Sequence, residues 1–201
     1  MINTKVSAIV LAGGNSTRMG QNKALLKIGE KTLIELVVET LHKIFDEIIV
    51  VTNNPENYTM LEDVRFEGDC IETPVKNSLV GLYTGLIRAK NDRAFVVACD
   101  MPFLNKELIE YIIKSLGDED LLIPFIEGHY QPLHAIYNKT CLDIMRNMII
   151  RGNYKIIDFY DDVNTIKINE DIVRQFDPLL KSFMNINTKE VYNNLDTFSN
   201  N

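Results

Sequence analysis

Two glycines and two basic residues follow the first apolar run of the chain. Residues 6–12 are almost all apolar, which is typical of a strand buried on both faces. Gly13 and Gly14 come directly after this run, and Arg18 and Lys23 follow. Glycine lets backbone N–H groups approach phosphate oxygens with no Cβ in the way, and the two cations supply compensating charge. We call residues 12–23 the glycine loop and expect it to hold a phosphorylated ligand.

The spacing of the glycines separates this loop from two common phosphate motifs. A Walker A loop requires Gly, four residues and then Gly-Lys-Ser/Thr, but five residues separate Gly14 from Gly20 and Gln21 comes next. The dinucleotide pattern Gly-x-Gly-x-x-Gly is also absent here. The alternative is an ordinary glycine-rich turn between a strand and a helix.

A second candidate for chemistry is Asp100. It follows the apolar run 94–99 directly and precedes Met101-Pro102, and the residue before proline adopts an extended conformation. The chain should therefore leave the sheet sharply at this point. A carboxylate there can hold Mg²⁺, which prefers one or two carboxylates together with substrate phosphates. Asp100 could instead cap the following helix, but Asn105 suits that position better.

The histidines give weaker signals. His42 is expected on a helix surface. His129 and His134 stand five residues apart with no third ligand nearby, which argues against a zinc site. His134 is either a phosphate contact or a hydrogen-bonded structural residue.

The apolar periodicity predicts strands that alternate with helices. Strands are expected at about 6–12, 47–52, 64–71, 94–99, 120–125, 133–137 and 164–168, and helices at about 32–44, 79–89, 106–116, 140–149 and 155–160, with a last one from 187 or 188. This order predicts an α/β fold, a three-layer sandwich in which helices flank a mostly parallel, Rossmann-like twisted sheet. We expect a single domain over residues 1–201. Ligands bind such sheets beyond the carboxyl ends of the strands, where the glycine loop and Asp100 would meet.

Charge and cysteine usage limit the classes of function. The net charge of −7 disfavours a nucleic-acid binder, which needs a broad basic face. The odd number of cysteines, Cys70, Cys99 and Cys141, suits a reducing compartment. No leader peptide and no stretch long enough to span a membrane is evident. A cytoplasmic protein without a membrane partner is expected.

The glycine loop resembles that of a known enzyme group. Its pattern Leu-Ala-Gly-Gly-x-Ser-x-Arg-Met-Gly-x-x-Lys, residues 11–23, resembles the nucleotide loop of the nucleotidyltransferase superfamily. The resemblance is greatest to the molybdenum cofactor guanylyltransferases. Residues 99–103 resemble the metal-binding segment of that family, residues 128–137 its central segment near the acceptor, and residues 185–188 its Asn-x-Asn-Thr segment. In order along the chain, these matches cover most of the sequence.

The resemblance implies a reaction and a set of site residues. The reaction is transfer of GMP from GTP to the terminal phosphate of molybdopterin, with or without molybdenum, and release of pyrophosphate. The implied nucleotide-binding residues are Leu11, Ala12, Gly13, Gly14, Lys23, Asn53, Asp69, Gly81 and Asp100. The implied catalytic residues are Lys23, Arg18 and Asp100, with Mg²⁺ bound by Asp100. The implied acceptor-binding residues are Gln131, Pro132, Asn185 and Asn187. Transient contacts with molybdenum-insertion proteins and molybdoenzymes are also implied.

Some positions depart from the family pattern, and other functions stay open. The usual Gly-Pro-Leu-Ala-Gly before the second helix is reduced to Leu79 and Gly81, and the aspartate that often precedes the lysine is Asn22. Asn53 and Asp69 could each belong to a solvated turn, and Lys23 could be a surface lysine. The alternative functions are a molybdopterin cytidylyltransferase, a sugar-phosphate nucleotidyltransferase, and a nucleotide-binding module without turnover.

Overall fold

The computed structural model describes residues 5–13 and 22–186. The strands in this part of the chain are β1 (Val6–Leu11), β2 (Lys27–Ile28), β3 (Lys31–Thr32), β4 (Ile48–Val51), β5 (Arg65–Glu67), β6 (Arg93–Ala98), β7 (Leu121–Ile126), β8 (His129–Tyr130), β9 (His134–Asn138) and β10 (Thr165–Asn169). The α-helices are α1 (Leu33–His42), α2 (Ser78–Arg88), α3 (Lys106–Lys114), α4 (Leu142–Ile150) and α5 (Glu170–Phe176).

One mixed sheet carries the fold. Its strands lie in the order β5-β4-β1-β6-β9-β7-β10, and β8 pairs with β7. β1, β4, β5 and β6 are parallel, whereas β9 runs antiparallel to both β6 and β7. From β1 the chain builds β4 and β5 on one side and then returns to place β6 on the other side. The strand order therefore reverses at β1, and the crevice beyond its carboxyl end is where such sheets bind ligands.

Helices cover both faces of the sheet, so β1 is buried throughout. Val6, Ala8 and Val10 face one apolar core, which includes α1, α3 and Val173 of α5. Ile9 and Leu11 face the other core, which includes α2 and α4. This arrangement confirms the predicted three-layer α/β sandwich with a mostly parallel sheet.

Short-range hydrogen bonds fix where the helices begin. Thr32 and Glu35 form a reciprocal capping box at the start of α1. Asn77 accepts from the N–H of Val80 at the start of α2, and Asn105 accepts from the N–H of Leu108 at the start of α3. The cap at Asn105 matches the sequence prediction. Because Asn105 caps α3, the capping alternative for Asp100 is wrong.

Helix α2 lies unusually close to β1. A Cβ built on Gly85 would stand 2.5 Å from Cγ2 and 2.9 Å from Cδ1 of Ile9, closer than carbon atoms approach in a packed core. Gly85 therefore allows the helix to lie low on the sheet, which sets the position of its N-terminus relative to the end of β1.

Some elements differ from the sequence prediction. Helix α5 (Glu170–Phe176) was not predicted, and a small antiparallel hairpin of β2 and β3 follows the glycine loop. The helix predicted from residue 187 or 188 lies outside the described residues. None of the helices in the described ranges is long and apolar enough to cross a membrane.

Candidate active site

The carboxyl ends of three neighbouring strands meet at the point where the strand order reverses. Leu11 lies in register with Val51 of β4 and with Ala98 of β6. The N–H of Ala12 donates to the carbonyl of Val51 at 2.9 Å, and the N–H of Cys99 donates to the carbonyl of Leu11 at 3.1 Å. These bonds extend the sheet by one residue, and both chain segments then leave the sheet at the same edge. The start of the glycine loop and Asp100 are thereby brought side by side.

A cavity of about 240 Å³ opens at this edge. Residues from the ends of β1, β4 and β6, from both ends of the glycine loop and from the start of α2 form much of its wall. The described lining residues are Leu11, Ala12, Gly13, Asn22, Lys23, Ala24, Val51, Asp69, Lys76, Asn77, Ser78, Gly81, Ala98, Cys99, Asp100 and Leu133.

Asp100 is a half-buried carboxylate on this cavity. Burial raises the pKa of its carboxyl above the usual value, and the charge of the nearby Lys23 lowers it again in part. Burial also raises the pKa of the neighbouring Cys99 thiol to about 12, so this thiol is uncharged at neutral pH. The Asp100 carboxylate therefore contributes negative charge to the cavity wall, with the Lys23 ammonium close to it.

Lys23 is held by a short turn. Residues Lys23–Leu25 form one turn of 3₁₀-helix, and the Oδ1 atom of Asn22 accepts from the N–H of Ala24 at 3.2 Å. The other side of the Asn22 amide donates to the hydroxyl of Tyr58 at 2.9 Å. The backbone that carries Lys23 is thus anchored by side-chain hydrogen bonds.

Asn53 and Asp69 form a closed pair beside the cavity. The Nδ2 atom of Asn53 donates to Oδ2 of Asp69 at 2.9 Å, and the N–H of Asp69 donates to Oδ1 of Asn53 at 2.8 Å. These two bonds fix the orientation of the Asp69 carboxylate, which lines the cavity. The pairing argues against two unrelated solvated turns.

The C-terminal part of the described chain reaches Asp100. The N–H of Ile186 donates to the carbonyl of Asp100 at 3.0 Å, and the Ile186 side chain is buried against Leu33. The exposed Asn185 is therefore held one residue from this contact.

The central segment, residues 128–137, is anchored by hydrogen bonds of its own. The hydroxyl of Tyr137 donates to the carbonyl of Pro132 at 2.9 Å, and the N–H of Gln131 donates to the carbonyl of Pro124 at 3.0 Å. Both Gln131 and Pro132 are half-buried. The next residue, Leu133, contributes to the cavity wall.

Comparison with known proteins agrees with this geometry. Residues 8–163 match the model of the MobA-like NTP transferase domain. A protein of Natranaerobius thermophilus, named as a probable molybdenum cofactor guanylyltransferase, is 40% identical over 92% of this chain and 92% of its own length. The chain belongs to the MobA-like NTP transferase family. A Clostridium perfringens protein with the same name is 39% identical, with 95% of this chain and 96% of its own length covered.

A solved structure supports the same relationship. The molybdopterin-guanine dinucleotide biosynthesis protein A of Archaeoglobus fulgidus superposes with a TM-score of 0.84 and 27% identity, covering 96% of this chain and 98% of its own. The three-layer architecture of this MobA-like NTP transferase is thus shared over nearly its full length.

Most of the residues predicted for the nucleotide site lie on the cavity. Those on its walls are Leu11, Ala12, Gly13, Lys23, Asp69, Gly81 and Asp100, and Asn53 joins them through its bonds to Asp69. Gly14, Arg18 and Asn187 lie outside the described residues. Gln131, Pro132 and Asn185 are not among the described residues of the cavity wall, although Leu133 is. Their predicted role toward the acceptor stays a prediction.

The lack of a side chain at Gly81 also has a structural reason. A Cβ on Gly81 would stand 3.3 Å from Cδ2 of Leu11, so the absence of a side chain helps α2 approach the end of β1. Gly13 differs, because a Cβ there would meet only the Val51 carbonyl oxygen, at 3.9 Å. The described fold leaves room for a side chain at Gly13.

His134 corrects the sequence analysis. Its side chain is fully buried, and neither ring nitrogen has a hydrogen-bond partner within the described part of the chain. It lies between aromatic rings, 5.0 Å from the centroid of Phe95 and 4.6 Å from that of Phe183. The expectation of a phosphate contact and that of a hydrogen-bonded structural residue are both wrong.

Several cavity residues were missed by the sequence analysis. Lys76, Asn77 and Ser78 line the cavity at the start of α2, and none of the three was among the predicted site residues. A lysine directly before a helix cap on the ligand-binding edge was a usable signal. Tyr58 gave no such signal, because its partners are distant in sequence.

Proposed function

We propose that this chain transfers GMP from GTP to the terminal phosphate of molybdopterin, releasing pyrophosphate and forming the guanine dinucleotide form of the cofactor. The observation that carries the proposal is the meeting of Lys23 and Asp100 on one cavity, in a chain of this family. The names of its relatives supply the identity of the two substrates.

The reaction places its main demand on electrostatics. The acceptor is a phosphate monoester with a second pKa of about 6, so it is already an anion at neutral pH and needs no general base. An anion must then attack the α-phosphate of a polyanion. Lys23 can neutralise charge on the phosphate oxygens, and the N–H groups of the glycine loop can hold them in place. Positioning and charge neutralisation are therefore the work of the chain's own groups.

Asp100 suits a divalent cation. In the described residues no three His, Cys, Asp or Glu side chains form a metal-binding group. Asp100 would therefore bind the cation together with oxygen ligands from the substrate phosphates. That donor set is the one Mg²⁺ prefers. Mg²⁺, when bound, supplies positive charge to the phosphate oxygens. We therefore include Mg²⁺ dependence, with Asp100 as the protein ligand, in the proposal.

The test is a pyrophosphate-release assay with extracted molybdopterin as acceptor. GTP, CTP, ATP and UTP are compared at matched concentrations with Mg²⁺ present, and each is repeated without acceptor. The proposal expects acceptor-dependent release with GTP and a higher kcat/KM for GTP than for CTP. Equal kcat/KM values for the two, or a preference for CTP, would favour the cytidylyltransferase alternative. Absence of release with every nucleotide would favour the binding module.

Gly13 provides a matched variant for nucleotide choice. Since the described fold has space for a Cβ there, Gly13→Ala should fold normally, and any effect should come from the approach of the ligand. The alternative family, the molybdopterin cytidylyltransferases, is distinguished by a loop that typically reads Leu-Ala-Ala-Gly, with alanine where this chain has Gly13. We expect Gly13→Ala to reduce the preference for GTP over CTP by about tenfold or more, on the scale of selectivity that a methyl group gives. Unchanged discrimination would show that Gly13 does not face the base.

A further inference from the structure

Tyr58 connects the two ends of the glycine loop. It ends a short 3₁₀ turn, Pro55–Tyr58, after β4, and its side chain is 1% exposed. Its hydroxyl donates to the carbonyl of Ala12 at 3.2 Å and accepts from Nδ2 of Asn22 at 2.9 Å. Ala12 begins the glycine loop and Asn22 directly precedes Lys23 at its end. One buried hydroxyl therefore contacts both places where the loop joins the rest of the fold.

The hydrogen-bond directions permit only one arrangement of these groups. The Ala12 carbonyl can only accept, so the single proton of the Tyr58 hydroxyl is used there. The orientation of the Asn22 amide is set by its other end, because Oδ1 accepts from the N–H of Ala24. Its Nδ2 must then face Tyr58, whose oxygen accepts. If the Asn22 amide were flipped, its NH₂ group would face the N–H of Ala24, which is also a donor. Its oxygen would then face Tyr58, and the hydroxyl oxygen would lose the donor that it accepts from.

The hydroxyl is not needed to fill the core. The ring of Tyr58 packs in the apolar core with α1 and α3, and a phenylalanine would fill the same volume. A buried hydroxyl costs free energy unless it is hydrogen-bonded. Besides a side-chain bond with Thr52, the Tyr58 hydroxyl bonds to Ala12 and Asn22 at the two ends of the glycine loop. Burial raises the pKa of the phenol, so it keeps its proton at the pH at which enzymes of this kind operate.

We propose that Tyr58 is a positioning residue for nucleotide transfer, which holds Ala12 and Asn22 at fixed positions and thereby sets the backbone that presents Lys23. This inference rests on the proposed function. Tyr58 itself does not touch the substrate in this account. It acts through Asn22, whose side chain also caps the turn Lys23–Leu25. Loss of the hydroxyl should leave the ring in place and let Lys23 move relative to Asp100.

The test compares Tyr58→Phe with Tyr160→Phe. Tyr160 is also buried, and its hydroxyl bonds to that of Tyr137 in the other apolar core, so this control removes a buried hydroxyl away from the glycine loop. Tyr137 can keep its bond to the Pro132 carbonyl. We expect similar changes in melting temperature for the two variants. We expect kcat to fall by about 10- to 100-fold in Tyr58→Phe alone, because small displacements of a positioned group have effects of this size.

Two further measurements separate positioning from general destabilisation. Hydrogen exchange of the peptide spanning residues 12–26 should become faster in Tyr58→Phe than in the wild type, with no such change in Tyr160→Phe. In an Asn22→Ala background, removal of the Tyr58 hydroxyl should lower kcat much less than in the wild type, since the two groups act through one contact.

The outcomes distinguish this inference from the proposed function. Wild-type protein that transfers GMP, together with Tyr58→Phe of unchanged kcat, overturns the inference and leaves the function intact. Equal loss of activity in Tyr58→Phe and Tyr160→Phe also overturns it. If the wild type transfers no nucleotide, the proposed function fails. Hydrogen exchange still tests the inference in that case, because unchanged exchange of residues 12–26 in Tyr58→Phe would show that the hydroxyl does not hold this segment in place.

Discussion

Replacing His134 should make the stability of this protein less sensitive to acid. The side chain is 0% exposed, and burial lowers the pKa of its imidazole to about 3, from 6.5 in an unfolded chain. The folded protein thus keeps His134 neutral at any pH above this value. The aromatic rings of Phe95 and Phe183 on either side offer no charge that would favour the protonated form.

The size of the effect follows from the two pKa values. Because the folded-state pKa is the lower one, the stabilising contribution is fully present above pH 6.5 and is lost as the pH falls toward 3. At pH 5 the unfolded chain binds a proton at His134 that the folded chain does not. Between pH 7 and pH 5 this difference removes about 2 kcal/mol of the unfolding free energy. His134→Met has a similar volume and does not titrate, so it should not suffer this loss.

Urea unfolding followed by circular dichroism at pH 7 and pH 5 measures the effect. The wild type should lose about 2 kcal/mol more than His134→Met between the two values. The matched control is His129→Met, at an exposed histidine of the β7–β8 hairpin, which should retain the wild-type pH dependence. At pH 7 the His134 variant should be as stable as the wild type or more stable, because unpaired buried nitrogens are removed. An identical loss of unfolding free energy in the wild type and in His134→Met would show that burial does not lower the pKa of His134 in the folded protein.

Three further predictions concern the site and its support. Gly85→Ala should lower the unfolding free energy by about 1–3 kcal/mol through overpacking, since its Cβ would lie 2.5 Å from Ile9; urea unfolding with no loss would contradict the close approach of α2. Asp100→Asn should keep the wild-type circular dichroism spectrum and lose Mg²⁺-dependent turnover; near-normal turnover would exclude it as an essential ligand. Lys23→Ala should lower the single-turnover rate by about 10²-fold or more and weaken GTP affinity less; a loss confined to affinity would make Lys23 a binding residue only.

The parts of the fold that depend on local sequence were predictable. The capping box of Thr32 and Glu35 and the caps at Asn77 and Asn105 each use residues three apart in sequence. The buried parallel strands are continuous apolar runs, and the position of Asp100 after such a run follows from the sequence alone. These features require no knowledge of distant partners, which is why the edge that carries the cavity was correctly expected.

The remaining features depend on contacts between distant segments. Helix α5 has a single buried residue, Val173, and is held by packing such as that of Phe176 on Tyr111, so its own periodicity is weak. Strand β9 lies between β6 and β7 and runs antiparallel to both. No local sequence pattern specifies that pairing or that direction. Tyr58 reaches Ala12 across 46 residues, which the spacing of residues near either one does not reveal.

A label on the α-phosphorus of GTP tests most directly whether the protein transfers GMP to the terminal phosphate of molybdopterin. The protein is incubated with molybdopterin, Mg²⁺ and GTP labelled at the α-phosphorus, and the products are separated by chromatography and identified by mass. We expect the label to enter a guanine–pterin dinucleotide, with one pyrophosphate released for each dinucleotide formed. Label recovered only in GMP or GDP, with or without molybdopterin, would show that the protein hydrolyses GTP and does not transfer GMP.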